Sequence, residues 1–333
     1  MPVESYHSST PCSVFHRLGC FATKFTPPPS FASALRLRSF LAGKQVFMHC
    51  PEQKLHYPDQ KMDSLSFHPM LIEGKPLKHW IDNFYGYGAW EAKIWFVGYE
   101  DGGVDLPQEV AQRLDYFYDQ PSKSLCDIRK LYRQVAFNAG GPRAGLFKNL
   151  FDYRFGSDAM LHGAWKNLIG FVHGYRNKKL PDLLEYQRNS FATTSEALIQ
   201  LYPLPSPHNH AWYYAWLDLP QLGFLKSRPL YEEYVYQSRM QSILHNIRVY
   251  KPEVVVMYGM NNINMHKQSV QEFFPAVKFK MVKAVKRQIP QHHRTDLDGT
   301  TLLITTQIPA LRHNRIETGF DWQEFGRSIK KGN

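Results

Sequence analysis

The sequence is poor in cysteine and contains no long apolar run. Its 333 residues include four cysteines, Cys12, Cys20, Cys50 and Cys126, and none of them forms a CxxC pair. This excludes a disulfide framework and a cysteine-based metal knuckle, and it predicts a cytoplasmic or other reducing compartment. No apolar segment approaches the ~20 residues of a membrane-spanning helix, so we expect no membrane partner. An apolar signal-peptide core is also missing near the N-terminus.

Acidic residues are almost absent from the first 50 positions, where Glu4 is the only one. The same segment contains a run of three prolines and arginines among leucines, a composition typical of organellar transit peptides. An upstream translated extension before Met62 and a disordered basic tail are the alternative explanations. The sequence therefore predicts a tail at 1–61 without an assigned function and a single α/β domain at 62–333.

Motifs for common cofactors are absent as well. The sequence contains neither a GxxxxGK[ST] phosphate loop nor a GxGxxG dinucleotide fingerprint. His208 and His210 have no third partner at the spacing of a metal site. We therefore expect neither a metal ion nor an organic cofactor.

Positive charges exceed negative charges by 11. Such an excess favours a polyanionic partner, nucleic acid (DNA) first and an acidic membrane surface second, although it also serves solubility alone. Basic side chains are concentrated in residues 275–294, a segment without any acid. Lysines that alternate with apolar residues at 277–281 predict an edge strand protected by its lysines, and contact with a phosphate backbone is the alternative. The candidate DNA contacts of this segment are Lys283, Lys286 and Arg287.

Four apolar segments have the pattern of buried parallel strands, and they begin near residues 94, 198, 253 and 301. Helices are predicted over 160–174 and 231–249, and a last amphipathic helix over 320–330. The order of helix, short link, apolar strand and glycine predicts a parallel sheet. In such sheets ligands bind at the carboxyl ends of the strands.

Glu100 and Asp101 are the leading candidates for chemistry, because the first strand is predicted to end at Gly98 and its loop lies at the ligand-binding edge. Ordinary polarity of a strand–helix loop is the alternative explanation. Pro107 suits the first turn of the following helix. The second strand, 197–202, is expected to stop at Pro203. The aromatic run Trp212-Tyr213-Tyr214-Ala215-Trp216 after it suits either core packing or a surface on which bases stack.

The ends of the four strands, taken in order, resemble the uracil-DNA glycosylase-like superfamily over about residues 90–328. The resemblance implies a three-layer sandwich with a central four-stranded parallel sheet between helices. It also implies base excision repair of DNA, by hydrolysis of the N-glycosidic bond of a flipped deaminated base of the uracil type. The matching segments are Gly98-Tyr99-Glu100-Asp101-Gly102, Pro203-Leu204-Pro205, Val254-Val255-Val256-Met257-Tyr258-Gly259 and Ile308-Pro309-Ala310.

The resemblance also implies roles for individual residues. Glu100 matches the water-positioning aspartate of the family. Asp101 stands where the family has a proline, and it is a second candidate acid beside Glu100. Leu311 is a candidate wedge between bases, with Arg312 and Arg315 on phosphates. The implied substrate pocket consists of Gly98, Tyr99, Gly102, Gly103, Tyr202, Pro203 and Gly259.

The sequence departs from the family pattern in its last loop. Ile308 stands where the family has a histidine, and it cannot donate a hydrogen bond; His313, five residues later, is the candidate replacement. The base-reading asparagine of the family has no match in 197–202. Two alternatives therefore stay open, a nucleic-acid-binding protein of the same fold that does not cleave, and an unrelated α/β enzyme that acts on a nucleotide or another small molecule.

Overall fold

The structure is a computed structural model, and it describes residues 72–102, 106–120, 123–137, 143–206, 212–309 and 319–331. All of these residues belong to the compact unit Leu65–Asn333, and the predicted tail at 1–61 lies outside them. Within these ranges the chain forms a mixed eight-stranded sheet and nine α-helices, so the predicted α/β class is confirmed.

The strands are β1 (Gly86–Tyr87), β2 (Ile94–Gly102), β3 (Leu125–Cys126), β4 (Glu196–Ser206), β5 (Val254–Tyr258), β6 (Lys280–Val282), β7 (His292–Leu297) and β8 (Thr300–Ile304). The helices are α1 (Gly74–Asn83), α2 (Pro107–Tyr118), α3 (Ile128–Arg133), α4 (Leu150–Phe155), α5 (Gly163–Tyr175), α6 (Leu183–Asn189), α7 (Arg228–Tyr250), α8 (Ile263–Phe273) and α9 (Trp322–Lys331). No helix in the described part of the chain is long and apolar enough to cross a membrane.

The sheet has the strand order β3-β1-β4-β2-β5-β8-β7-β6. Its four central strands, β4, β2, β5 and β8, are parallel neighbours, and they are the four strands expected from the sequence. The sheet is nevertheless larger than expected, because antiparallel β7 and β6 extend it beyond β8, and β1 and β3 extend it beyond β4. The extra strands are short or polar, so their sequences carry no apolar strand pattern. The strand predicted at 277–281 begins only at Lys280, and as β6 it lies at the edge of the sheet, as predicted.

The central strands are buried along almost their whole length. In β2 the residues from Ile94 to Gly98 are all buried, and in β5 the residues from Val254 to Met257 are buried too. Continuous apolar runs of this kind are typical of parallel strands that are covered on both faces. Burial of each large side chain contributes about 1.5–3 kcal/mol to folding, so these strands contribute strongly to the stability of the core.

Helix α5 packs closely against α9. Its predicted inner face is confirmed, because Trp165, Leu168, Ile169 and Val172 are all buried. The helix begins three residues later than expected, since the ring of His162 accepts a hydrogen bond from the backbone N–H of Trp165 and caps the first turn. Two glycines allow the close approach. A Cβ atom at Gly174 would lie 1.8 Å from the backbone oxygen of Gln323, and one at Gly326 would lie 2.2 Å from that of Phe171.

Strands β2 and β4 are longer than the sequence predicts. The loops expected from Gly98 and Pro203 are strand up to Gly102 and Ser206. The pairing of β2 with β4 shifts between Glu100 and Gly102, which accommodates the prolines of β4. Side chains from other elements bind the backbone of this part of β4. Trp80 Nε1 donates to the oxygen of Pro203 at 2.8 Å, Tyr214 Oη donates to that of Pro205 at 2.8 Å, and Tyr231 Oη accepts from the N–H of Leu204 at 2.9 Å.

Arg239 ties helix α7 to the sheet. Its guanidinium is fully buried and donates to the backbone oxygens of Phe84 at 2.7 Å, Gln200 at 2.6 Å and Leu201 at 3.2 Å. It also lies over the ring of Tyr85, 3.8 Å from the ring centroid. Burial lowers the pKa of Arg239 to about 10, which still leaves the side chain charged at neutral pH.

Candidate functional site

A cavity of about 380 Å³ lies at the carboxyl ends of β2, β5 and β8. This is the edge at which open α/β sheets bind their ligands. Side chains of β2 and α7 contribute to its wall, together with the segments that follow β5 and β8. The lining residues are Tyr99, Glu100, Arg228, Glu232, Tyr258, Gly259, Asn261, Thr306 and Ile308.

The two predicted acids, Glu100 and Asp101, are separated by the strand that carries them. Successive side chains of a β-strand point to opposite faces, and both residues belong to β2. Glu100 lines the cavity. Asp101 accepts hydrogen bonds from Tyr87 Oη at 2.8 Å and from Arg113 Nη1 at 2.9 Å, in a pair with a buried arginine. The structure therefore brings Glu100 to the cavity and holds Asp101 in a separate ion pair.

Arg228 is the partner of Glu100. Its Nη1 donates to Glu100 Oε2, and its Nη2 donates to Ser206 Oγ at 2.7 Å. The guanidinium lies 5.0 Å from the ring centroid of Trp212, and Nη1 is 3.9 Å from Oε1 of Glu232. Arg228 is therefore fixed by contacts on several sides.

Burial raises the pKa of Glu100 above that of an ordinary glutamate. The positive charge of Arg228 and its hydrogen bond act in the opposite direction, whereas the negative charges of Glu232 and Asp101 add to the effect of burial. The net direction is upward, so desolvation outweighs the ion pair here. A carboxylate in such surroundings is a better proton acceptor than one in water.

Two tyrosines form an aromatic wall of the cavity. Burial raises the pKa of Tyr99 and of Tyr258, so both hydroxyls stay neutral at physiological pH. A hydrogen bond to Glu232 raises the pKa of Tyr99 further. Tyr202 supports Tyr99 with a ring contact of 4.7 Å between centroids. Gly98 makes room for the other tyrosine, because a Cβ atom there would lie 2.8 Å from Tyr258 Oη.

The segments after β5 and β8 are bound to each other. The N–H of Gly259 donates to the oxygen of Gln307 at 3.1 Å, and that of Met260 donates to the oxygen of Thr305 at 3.1 Å. Gly259 has φ +68°, a left-handed conformation that favours glycine. These bonds place Asn261, Thr306 and Ile308 at the cavity.

Other predicted pocket residues lie around the cavity without lining it. Gly98 is buried in β2, Tyr202 and Pro203 are buried in β4, and Gly102 is exposed at the end of β2. Lys283, Lys286 and Arg287 are exposed between β6 and β7. Gly103, Leu311, Arg312, His313, Arg315 and the two histidines His208 and His210 lie outside the described residues.

The residues of the aromatic run after β4 differ in burial. Tyr213 and Tyr214 are buried, Trp212 is half-buried against the core, and Trp216 is 79% exposed. Core packing therefore accounts for most of the run. Among the residues that the structure describes, no group of three His, Cys, Asp or Glu side chains could hold a metal ion.

The sequence did not single out Arg228, Glu232, Asn261 or Thr306. For the first two, the available signal was only their spacing: residues four positions apart share one face of a helix, and both belong to the first turns of α7, but the spacing does not show which strand this face meets. Asn261 follows the predicted glycine turn at Gly259 by two residues. Thr306 follows the last predicted strand, where any polar side chain is brought to the same edge.

In chemical terms, the cavity offers a desolvated carboxylate, an aromatic wall and polar groups at one strand edge. This set can orient a water molecule next to a planar ligand. No protein-family model matches the sequence, and no curated protein matches it.

Proposed function

We propose that this chain is a DNA glycosylase that hydrolyses the N-glycosidic bond of a flipped deaminated base of the uracil type. The observation that carries the proposal is Glu100, a carboxylate with only 11% of its side chain exposed, which lies at the carboxyl end of a central parallel strand in a cavity of about 380 Å³. Small-molecule sites usually measure about 300–1,000 Å³, so a nucleobase fits this volume. The partner in this proposal is DNA, and the compartment is a reducing one.

The arrangement of the central strands supports the proposal, which includes a sandwich fold like that of the uracil-DNA glycosylases. The four strands that carry the resemblance, β4, β2, β5 and β8, are consecutive parallel neighbours. Their carboxyl ends bring Glu100, Gly259 and Ile308 to one cavity, although these residues are far apart in the sequence. Short peripheral strands enlarge the sheet without changing this centre.

The proposed reaction uses Glu100 as the group that holds the attacking water. The water oxygen bonds to C1′ of the sugar, the N-glycosidic bond breaks, and its electron pair goes to the base. Glu100 accepts a proton from the water and stabilises the positive charge that develops on the sugar. The departing base is an anion. Ile308 cannot donate to it, so we assign this role to the hydroxyl of Thr306 and the amide of Asn261, which line the same cavity.

The test is base release by the full chain from oligonucleotides that contain uracil, hypoxanthine or xanthine, in single- and double-stranded form. Glu100→Gln removes the proton acceptor and keeps the size of the side chain. We expect its release rate to fall by about 100-fold or more, the usual contribution of a general base. The control is Glu233→Gln, which neutralises an exposed carboxylate of α7. Full activity of Glu100→Gln would contradict the proposal.

Ile308 favours a second candidate, a protein of the same fold that binds nucleic acid without cleaving it. The residue is 39% exposed at the cavity and offers no hydrogen-bond donor from its side chain. This candidate predicts binding of the same oligonucleotides that weakens with salt, since phosphate contacts release counterions, and no base release. Binding that does not respond to salt would exclude it.

A further inference from the structure

The charge of the cavity does not match an anionic ligand. Of the described residues that line it, Glu100 and Glu232 are acidic and Arg228 is basic. When all three are ionised, one negative charge remains in excess. The tyrosines do not change this balance, because burial keeps the pKa of both hydroxyls well above neutral pH. A ligand with a positive charge is therefore favoured over one with a negative charge.

Arg228 supplies the guanidinium among the described lining residues, and this group is engaged by the protein itself. Arg228 donates to Glu100 and Ser206 and lies over the ring of Trp212. Its side chain is 14% exposed, so most of its surface is turned away from solvent. Glu232 is 22% exposed and lines the same cavity, with its Oε1 3.9 Å from Arg228 Nη1 and its carboxylate hydrogen-bonded to Tyr99.

The aromatic wall has the same preference. Tyr99 and Tyr258 both line the cavity, and the faces of aromatic rings attract cations. Neutral and anionic bases lack this attraction. A planar ligand with a positive charge can stack on the tyrosine rings and can also neutralise the excess carboxylate charge.

We infer that the cavity takes cationic N-alkylated purines of DNA, such as 7-methylguanine and 3-methyladenine, as a further class of substrate. The inference rests on the proposed function, and it names a class different from the deaminated bases. Tyr99 and Tyr258 contact the charged ring, and Glu232 supplies the compensating negative charge. Ile308 makes a hydrophobic contact with the base, and an alkylated purine needs no hydrogen-bond donor at this position.

The reaction balances without a donor to the base. The oxygen of water bonds to C1′ of the sugar while the bond between C1′ and purine N9 breaks. The electron pair of that bond goes to N9 and cancels the positive charge of the ring, so the base departs neutral. One proton of the water passes to Glu100 and then to solvent. An alkylated purine thus removes the main difficulty that Ile308 creates for an anionic leaving group.

The experiment compares two substrates of the full chain, duplex DNA methylated with dimethyl sulfate and duplex DNA that contains uracil. Released 7-methylguanine, 3-methyladenine and uracil are measured by chromatography, with release in the absence of protein subtracted. We expect release of the methylated purines. In Glu232→Gln, the ratio of methylated purine to uracil release should fall about tenfold, whereas Glu233→Gln should leave both rates unchanged.

A second pair of variants covers the case in which Glu232→Gln does not fold. Tyr99→Phe keeps the aromatic face, and Tyr99→Leu removes it. The ratio of methylated purine to uracil release should stay within about twofold in Tyr99→Phe and fall about tenfold in Tyr99→Leu, in line with the strength of a cation–π contact. Equal ratios in the two variants would contradict the role of the aromatic wall.

The outcomes separate this inference from the proposed function. Release of uracil without release of methylated purines overturns the inference and leaves the glycosylase in place. If no base is released, titration with 7-methylguanosine and guanosine decides the remaining point. Stronger binding of 7-methylguanosine that is weakened in Glu232→Gln supports cation recognition without glycosylase activity, and equal binding of the two nucleosides overturns it.

Discussion

Glu100 and Asp101 are adjacent in the chain and differ completely in their surroundings. Glu100 shares a cavity with Arg228, and Asp101 pairs with the buried Arg113. The alternation of β2 produces this division, since each residue advances the strand by one step and turns the side chain to the other face. Only one of the two acids is therefore available to a ligand in the cavity.

The raised pKa of Glu100 leads to a prediction about pH. A protonated carboxyl cannot accept a proton from water, so base release should decline as the pH falls toward the pKa of Glu100. Because burial raises that pKa, the decline should occur at higher pH than for an ordinary glutamate. Arg228→Gln removes the positive charge and the hydrogen bond that oppose this shift, so the acid limb should move to still higher pH.

The measurement is the pH dependence of kcat/KM for uracil release, which gives the acid limb of the unaltered protein and that of Arg228→Gln. Glu233→Gln is again the matched control, and its profile should coincide with that of the unaltered protein. An acid limb in the range of a free glutamate, or an identical limb in Arg228→Gln, would show that another group controls the profile.

At the scale of the residue, the sequence indicated Glu100 correctly as a residue of the strand edge, and it did not separate Glu100 from Asp101. The loop was expected to begin at Gly98, and in a loop the direction of neighbouring side chains cannot be read from their order. Arg228 was missed for a different reason. Its role depends on how the first turn of α7 meets the end of β2, a contact between residues 128 positions apart.

At the scale of the element, the contact between α5 and α9 leads to a stability prediction. Gly174→Ala would place a methyl group 1.8 Å from a backbone oxygen of α9, which cannot move as a flexible side chain could. We expect a loss of about 1–3 kcal/mol in the free energy of unfolding, as for other overpacked contacts. Urea unfolding followed by circular dichroism measures the difference.

Gly170→Ala is the control from the same helix. A Cβ atom there would lie 3.6 Å from the backbone nitrogen of Gln323, an ordinary contact distance. Alanine is the better helix former by up to about 1 kcal/mol, so this variant should be as stable as the unaltered protein or more stable. If both variants lost a similar amount of unfolding free energy, the close contact between α5 and α9 would not be the cause of the loss in Gly174→Ala.

The beginnings of the central strands were predictable, and their ends were not. Apolar runs mark the beginnings, because strands that are buried on both faces carry few polar residues. The end of β4 contains Pro203 and Pro205, which normally indicate a stop. The strand continues because Trp80, Tyr214 and Tyr231 bind its backbone, and these residues belong to other elements.

At the scale of the whole molecule, the excess of 11 positive charges leads to a prediction about salt. If Lys283, Lys286 and Arg287 contact phosphates, changing all three to glutamine should reduce the slope of log K against log salt by up to about 0.9 for each lost contact. The measurement is DNA affinity by fluorescence anisotropy at several salt concentrations.

The control carries the same change of net charge at three exposed lysines elsewhere, Lys75, Lys93 and Lys123. Its slope should stay close to that of the unaltered protein. Equal slopes for the two triple variants would show that net charge alone governs the affinity, and the segment between β6 and β7 would then have no special role.

Arg239 also influences how long a folded molecule persists. The carbonyls that it binds lie 155 residues away at Phe84 and 39 residues away at Gln200, so these bonds form only after distant segments have come together. Interactions that form late in folding mainly slow unfolding. Arg239→Met should therefore unfold at least tenfold faster in stopped-flow experiments, while its refolding rate changes by less than about twofold. A slower refolding rate would instead place the Arg239 contacts in the folding nucleus. On this argument the buried guanidinium sets the lifetime of the native state, and protease digestion under native conditions would proceed faster without it.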